Sequence, residues 1–325
     1  MAILTSDFAA LTDDLQEIFD EVAAGKIADS MGMKIFDVKD TDRRTYDYRV
    51  LHGIDVIQRV GEGSDLPEAI SIQGDGVTWT QSRYGGIVSI TKDMRMFDLY
   101  DAIEDRVVAA TEDAFDKIDQ SLADVLLYGW STSYTDVYNA SHTSTASDGL
   151  ALFSSVHSND VNAATYNNQI QYPSGTADPA LSREAVILTR TRGRRFRDPL
   201  SHVKPVNLDT LVVGPGNEDL ALRIVNSDGV QGTADRDSNP LRGRVNVVVW
   251  DRLDIRSDDT DTSAYWFMCD SKKVKNSLKA LFAQRPTMEA PEQVYKSKNW
   301  LYSVDHYYAI GRGIAQYVFG SRGTA

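Results

Sequence analysis

Cysteine is almost absent from this 325-residue chain: Cys269 is the only one. An intrachain disulfide is excluded, and the chain reads as the product of a reducing compartment. No run of about 18 apolar residues occurs, so no membrane-spanning helix is expected. The opening residues, MAILTSDFAALTDDLQEIFDE, lack the basic start and apolar stretch of a secretory signal, which points to an intracellular product. Positive charge is also scarce. Against 47 Asp and Glu stand 34 Lys and Arg, a formal net charge of -13, which argues against a surface built to grip nucleic-acid phosphates. The five histidines (His52, His142, His157, His202 and His306) show no metal-ligand spacing among themselves or with Cys269. No metal and no cofactor is expected.

What is present is ordinary for a folded chain: 42% hydrophobic and 25% charged residues, long enough for two domains or one large domain with excursions. Ser6 can cap a helix over about Asp7–Ala24, with Gly25 as its stop. Phe8, Leu11, Leu15, Ile18 and Val22 form its apolar stripe. Such a stripe packs on its own domain or docks on a neighbouring subunit, and the sequence leaves both open.

Extended segments follow at Thr45–Leu51, Ile54–Val60, Ala69–Gln73, Val77–Gln81 and Ile87–Thr91, with GEGSDLPE, GDG and YGG as turn-formers. The glycines of GEGSDLPE follow a strand pattern, as in a phosphate-binding loop. Such a loop must pass into a helix whose N-terminus receives the phosphate. Gly61 and Gly63 lead towards another strand instead, and Glu62, Asp65 and Glu68 would repel phosphate. The segment therefore reads as the tip of a long hairpin. A two-stranded ribbon is marginal alone in water, so it needs a partner surface.

Asp98 can cap the strongest helix, and Gly129 can close it. Its face of Leu99, Ile103, Val107, Ala110, Ala114, Ile118, Leu122 and Val125 gives a spine on the order of 45 Å long. Ser131–Ser182 is polar, poor in charge, and reads as long loops with short strands. A helix opens at Ser182, "TLVV" is a buried strand, and a second helix covers Glu218–Ser227. Without regular alternation of strand and helix, the class is α+β.

Catalytic constellations are weak. Ser154, Ser155 and His157 invite a hydrolase reading, but residues so close in sequence rarely form a triad, and no G-x-S-x-G elbow exists. No catalytic residue is assigned and an enzyme is not expected. A basic cluster stands out: Arg183, Arg190, Arg192, Arg194, Arg195, Arg197 and Lys204. Nucleic-acid binding would need aromatic interleaving or a known module. Contacts to carboxylates of neighbouring subunits suit an acidic, self-associating chain better.

The order of these features resembles the major capsid proteins of tailed bacteriophages with the Hong-Kong-97-like fold, most of all the Mu-type major head subunits. It runs from an acidic arm to a hairpin tipped by GEGSDLPE, then through VSITKDMRMFD to a long helix ending IDQSLADVLLYG. ALFSSVHSN, TLVVGPGNEDLALRIV, NPLRGRVNVVV and a strand ending YVFGS follow in turn.

The resemblance implies an N-terminal arm at 1–44, an extended loop at 45–91, and a peripheral domain at 92–181 with its spine helix at 98–129. It implies an axial domain at 182–258 and return strands at 259–325. It further implies that Gly61, Glu62, Gly63, Asp65, Leu66, Pro67 and Glu68 at the loop tip, and the arm stripe, touch neighbouring subunits. Copies would form pentamers and hexamers of an icosahedral shell around double-stranded DNA, assembled in the host bacterial cytoplasm. A separate scaffolding protein, a portal and a decoration protein would be partners, and no membrane. The rival readings are an encapsulin-type compartment and a soluble hydrolase. Family members that crosslink use an extended-loop lysine, and Thr45–Thr91 contains none.

Overall fold

The computed structural model describes residues 5–51, 57, 59–61, 65–66, 73–97, 100–158, 165–172, 175–197, 202–229 and 238–324. Two sheets organise the chain. In the main sheet, Leu278–Met288 runs parallel to Asp37–Asp40 and antiparallel to Trp300–Arg312. Trp300–Arg312 also carries Ser82–Ile90 and the short Glu292–Gln293. The second sheet has the order Asn246–Val249, Thr210–Val213, Trp266–Cys269, Val318–Ser321, with a parallel pair at one edge.

The period-2 alternation of strand side chains decides what packs where. On the main sheet, Leu278, Ala280 and Phe282 face the spine helix, Tyr100–Leu127, and so does Tyr308, whose hydroxyl bonds Ser121 Oγ at 3.1 Å. Leu281 and Ala309 point to the opposite face. In the second sheet, Val212, Phe267 and Cys269 join the core shared with the spine helix. Leu211, Val213, Trp266 and Met268 face a separate core with the helices Arg183–Arg194 and Glu218–Asn226. The second sheet is thus buried on both faces, the main sheet on its helix face and, on the other, around Leu281 and Ala309; the spine helix lies where the two halves meet.

Most elements stand where the sequence pattern puts them. Ser182 caps its helix, its Oγ accepting from the Ala185 amide at 3.2 Å. Asp98, the expected cap of the spine helix, lies outside the described residues, as does Leu99. Three expectations fail. Gly25 does not stop the first helix, which runs Thr5–Asp29. Lys26 in the next turn reaches Asp116 at 3.2 Å and Glu112 at 3.5 Å on the spine helix, and these contacts carry the helix past the glycine. Nor are GDG and YGG turns: Gly74, Asp75 and Gly76 sit inside the strand Gln73–Thr80, and Tyr84, Gly85 and Gly86 inside the strand Ser82–Ile90. A Cβ on Gly85 would stand 2.8 Å from the Cβ of Asp305, so this glycine serves close strand approach. As a result, Ser82–Ile90 leaves the hairpin and belongs to the main sheet.

Candidate functional site

The hairpin pairs Thr45–Leu51 with Gln73–Thr80, antiparallel. Its root is anchored by Trp79, which is buried against Leu281 and Ala309 on the sheet face away from the spine helix. Tyr46 and Tyr48 stack on the indole at ring-centroid distances of 6.2 and 5.6 Å. Gly311 makes room for it: a Cβ there would meet the indole at 2.0 Å.

Farther out, two described large apolar side chains past the paired strands are exposed. Ile57 is 93% exposed and Leu66 82% exposed. Gly61 and Asp65 are exposed, whereas Glu62, Gly63, Pro67 and Glu68 lie outside the described residues. Within the expected strand Ile54–Val60, the described Ile57, Arg59 and Val60 are not in a strand.

The arm helix uses its apolar stripe on its own chain. Leu15, Phe19 and Ala23 are buried with Ile103, Val107 and Phe115 of the spine helix, and Ile18 packs at the edge of this cluster. Leu15, fully buried, is therefore a core residue of its own subunit, because the spine helix offers an apolar groove within reach. Val22 is half-buried, and the side chains of Phe8 and Leu11 lie outside the described residues.

The basic cluster divides. Arg192 turns inward: its Nη1 donates to the Gln169 carbonyl at 2.9 Å, and burial lowers its pKa. Arg190 is half-buried and donates from Nε to the Leu208 carbonyl at 3.2 Å. Arg194, Arg195 and Arg197 are exposed. Arg190 and Arg194, four apart on one helix face, share a groove with Arg244, Thr191, Ile187, Pro240 and Leu241. Arg244 is a member that the sequence cluster did not contain.

The hydrolase pair is not assembled. Ser155 is exposed while His157 is fully buried. The His157 ring is held on both sides, by Asp148 at 2.6 Å through Nδ1 and by the Leu152 carbonyl at 3.1 Å through Nε2. A carbonyl only accepts, so Nε2 carries a proton and cannot serve as a base towards Ser155. The hydrogen bond and charge of His157 hold the Asp148 carboxyl below its usual range despite burial. Among the described residues, no group of three His, Cys, Asp or Glu side chains could hold a metal ion. No described helix is long and apolar enough to cross a membrane.

Arg312 is the buried hub that pattern reading missed. Its guanidinium donates to the carbonyls of Val125 and Tyr128 at 2.9 Å each, and to those of Ser131 and Ser144 at 2.7 Å each. Two of these belong to the last turn of the spine helix and its exit, where helix carbonyls lack partners and the dipole is negative. Burial lowers the Arg312 pKa to about 10, which leaves it charged at neutral pH.

A family model described as phage capsid protein matches residues 76–318. Among solved structures, the capsid of Ralstonia phage GP4 is similar, with 12% identity, 88% of this chain and 87% of that chain covered, and a TM-score of 0.53. The capsid of an empty GTA particle is similar at 11% identity, with 90% and 89% coverage and a TM-score of 0.53. The capsid of Myoviridae phage XM1 is similar at 11% identity, with 90% coverage of each chain and a TM-score of 0.52. No curated protein sequence matches the chain.

Proposed function

The chain belongs to the phage capsid protein family, and on that premise we propose how its surfaces build a shell. It has the Hong-Kong-97-like capsid fold and is a structural major capsid protein of the virion, whose copies form the icosahedral shell. Pentamers and hexamers are the proposed units. The hairpin is the proposed clamp, with 61–68 at its tip laid over an adjacent subunit. Of the arm stripe, Phe8, Leu11, Ile18 and Val22 are proposed contacts with a neighbour, and Leu15 serves the subunit's own core.

The observation that carries this reading is a hairpin docked at its root by Trp79 while Ile57 and Leu66 farther out are almost fully exposed. Large apolar side chains on a thin ribbon need a second molecule to bury them. The shell encloses double-stranded DNA, and its acidic subunits, at -13 each, let the DNA slide during packing. A separate scaffolding protein, a portal and a decoration protein are the further partners proposed.

Deleting Gly61–Glu68 tests the clamp. The variant should give folded subunits that do not form stable shells. Normally stable, monodisperse particles from the deletion would overturn it. Shells holding a single protein cargo and no DNA would favour the encapsulin-type compartment.

A further inference from the structure

We propose that the groove lined by Arg190, Arg194 and Arg244 receives Glu218 and Asp219 of a second copy of this chain, joining subunits head to tail around a ring. This rests on the capsid reading and names the pair of surfaces that would close its capsomers.

The two patches lie at opposite ends of the parallel strands Thr210–Val213 and Asn246–Val249. Arg244 stands two residues before the second strand, and Arg190 is bonded to Leu208, two residues before the first. Glu218 and Asp219 begin the helix that follows the other end of the first strand, after Pro215–Asn217. Four-residue strands set the ends roughly 13 Å apart. A basic patch at one end and an acidic one at the other cannot meet within a subunit, but they meet in a heterologous contact that closes by rotation.

Each patch is incomplete alone. Burial and the neighbouring Arg194 and Arg244 charges lower the Arg190 pKa, so the groove holds mutually repelling cations. Asp209 is the acid within range of Arg190. Its carboxylate already accepts from the Ser271 amide at 2.9 Å, from Ser271 Oγ at 2.8 Å and from Thr210 Oγ1 at 3.1 Å. Glu218 and Asp219 form no ion pair with a described residue. Beside them Leu220 is 41% exposed and Leu222 37% exposed, on a helix whose Ala221 and Val225 are buried. Ile187, Pro240 and Leu241 give the groove apolar walls for Leu220, the leucine adjoining Asp219, whereas Leu222 lies on another side of the helix. Nucleic acid fits less well, since a phosphate backbone offers nothing to Leu220.

The test is a charge swap scored by shell yield in sucrose gradients, with circular dichroism of the free subunits as the folding control. Arg194→Glu with Arg244→Glu, and separately Glu218→Arg with Asp219→Arg, should each lower yield at least about tenfold, as for truncated interfacial charge pairs. All four changes together should restore yield to within about twofold of wild type, because the pairing is rebuilt with reversed sign. Should the reversed arginines misfold, Arg194→Gln with Arg244→Gln gives the same readout without introducing charge. Wild-type yield in both double variants would overturn the pairing, as would failure of the fourfold variant to recover. Intact shells that lose only DNA would overturn it in favour of a genome-facing groove. A wild-type protein that forms no shell under any condition is a different result, and would remove the capsid reading itself.

Discussion

Replacing Trp79 with alanine asks whether the hairpin root is what holds the ribbon on the body. The indole is buried on Leu281 and Ala309, over Gly311, with Tyr46 and Tyr48 stacked on it. Removing a buried Trp costs roughly 3–5 kcal/mol. This cluster is small and faces away from the core around the spine helix, so the loss falls on docking of the hairpin. At tenfold per 1.4 kcal/mol, the low end of ~3 kcal/mol lowers the docked-to-open ratio about a hundredfold. In hydrogen-exchange mass spectrometry, peptides over 45–51 and 73–80 should exchange on the order of a hundredfold faster, with 100–127 unchanged. Trp79→Phe keeps a stacking ring and should lose less. Gly311→Ala should mimic the loss, since its Cβ would stand 2.0 Å from the indole. Wild-type protection of the hairpin in Trp79→Ala would refute the anchor.

Arg312→Ala takes the donor from two buried carbonyls (Val125, Ser144) and two part-buried ones (Tyr128, Ser131), and at about 1 kcal/mol each, the low end, urea unfolding should show a loss of roughly 4 kcal/mol. Arg312→Lys, with only three donors, should fall between; an unchanged alanine variant would contradict the hub. Two buried groups set opposed pH dependences: burial pushes His306 down to about 4 and Asp124 up to about 6. Acidification destabilises through His306, which unfolded chains protonate from about pH 6.5, and stabilises through Asp124, which unfolded chains keep ionised to about pH 3.9. Asp124→Asn removes the stabilising half, so its unfolding free energy should fall by up to ~1.4 kcal/mol per pH unit between about pH 6.5 and 4. A profile parallel to wild type would refute the opposition. Shells boiled in SDS with reductant should run as a single band near 36.1 kDa, because Thr45–Thr91 has no lysine and Cys269 is buried with its thiol pushed up to about 12. A covalent ladder would reveal an unidentified crosslink.

Local signals in the sequence carried over well where the deciding contact is itself local. Ser182 caps its helix, and the TLVV strand is buried on all four residues. Long-range contacts account for the rest. Gly85 and Gly86 read as a turn because nothing nearby in sequence reveals Asp305 lying against the backbone. Gly25 reads as a helix stop because Asp116, ninety residues away, supplies the Lys26 contact. Arg192 and Arg194 are alike in composition and differ only in which side of a helix they occupy. Arg312 lies in an aromatic strand pattern, and its role depends on carbonyls at the end of the spine helix. At the proposed assembly surfaces, the hairpin was legible as a ribbon with little core of its own. Arg244 was not, because fifty residues separate it from Arg194.

Negative-stain electron microscopy of the purified protein tests shell formation most directly. The fold and family require closed, isometric particles of uniform size built from this chain alone or with a scaffold. Fields containing only monomers and small open oligomers, with and without co-expressed phage assembly proteins, would contradict it.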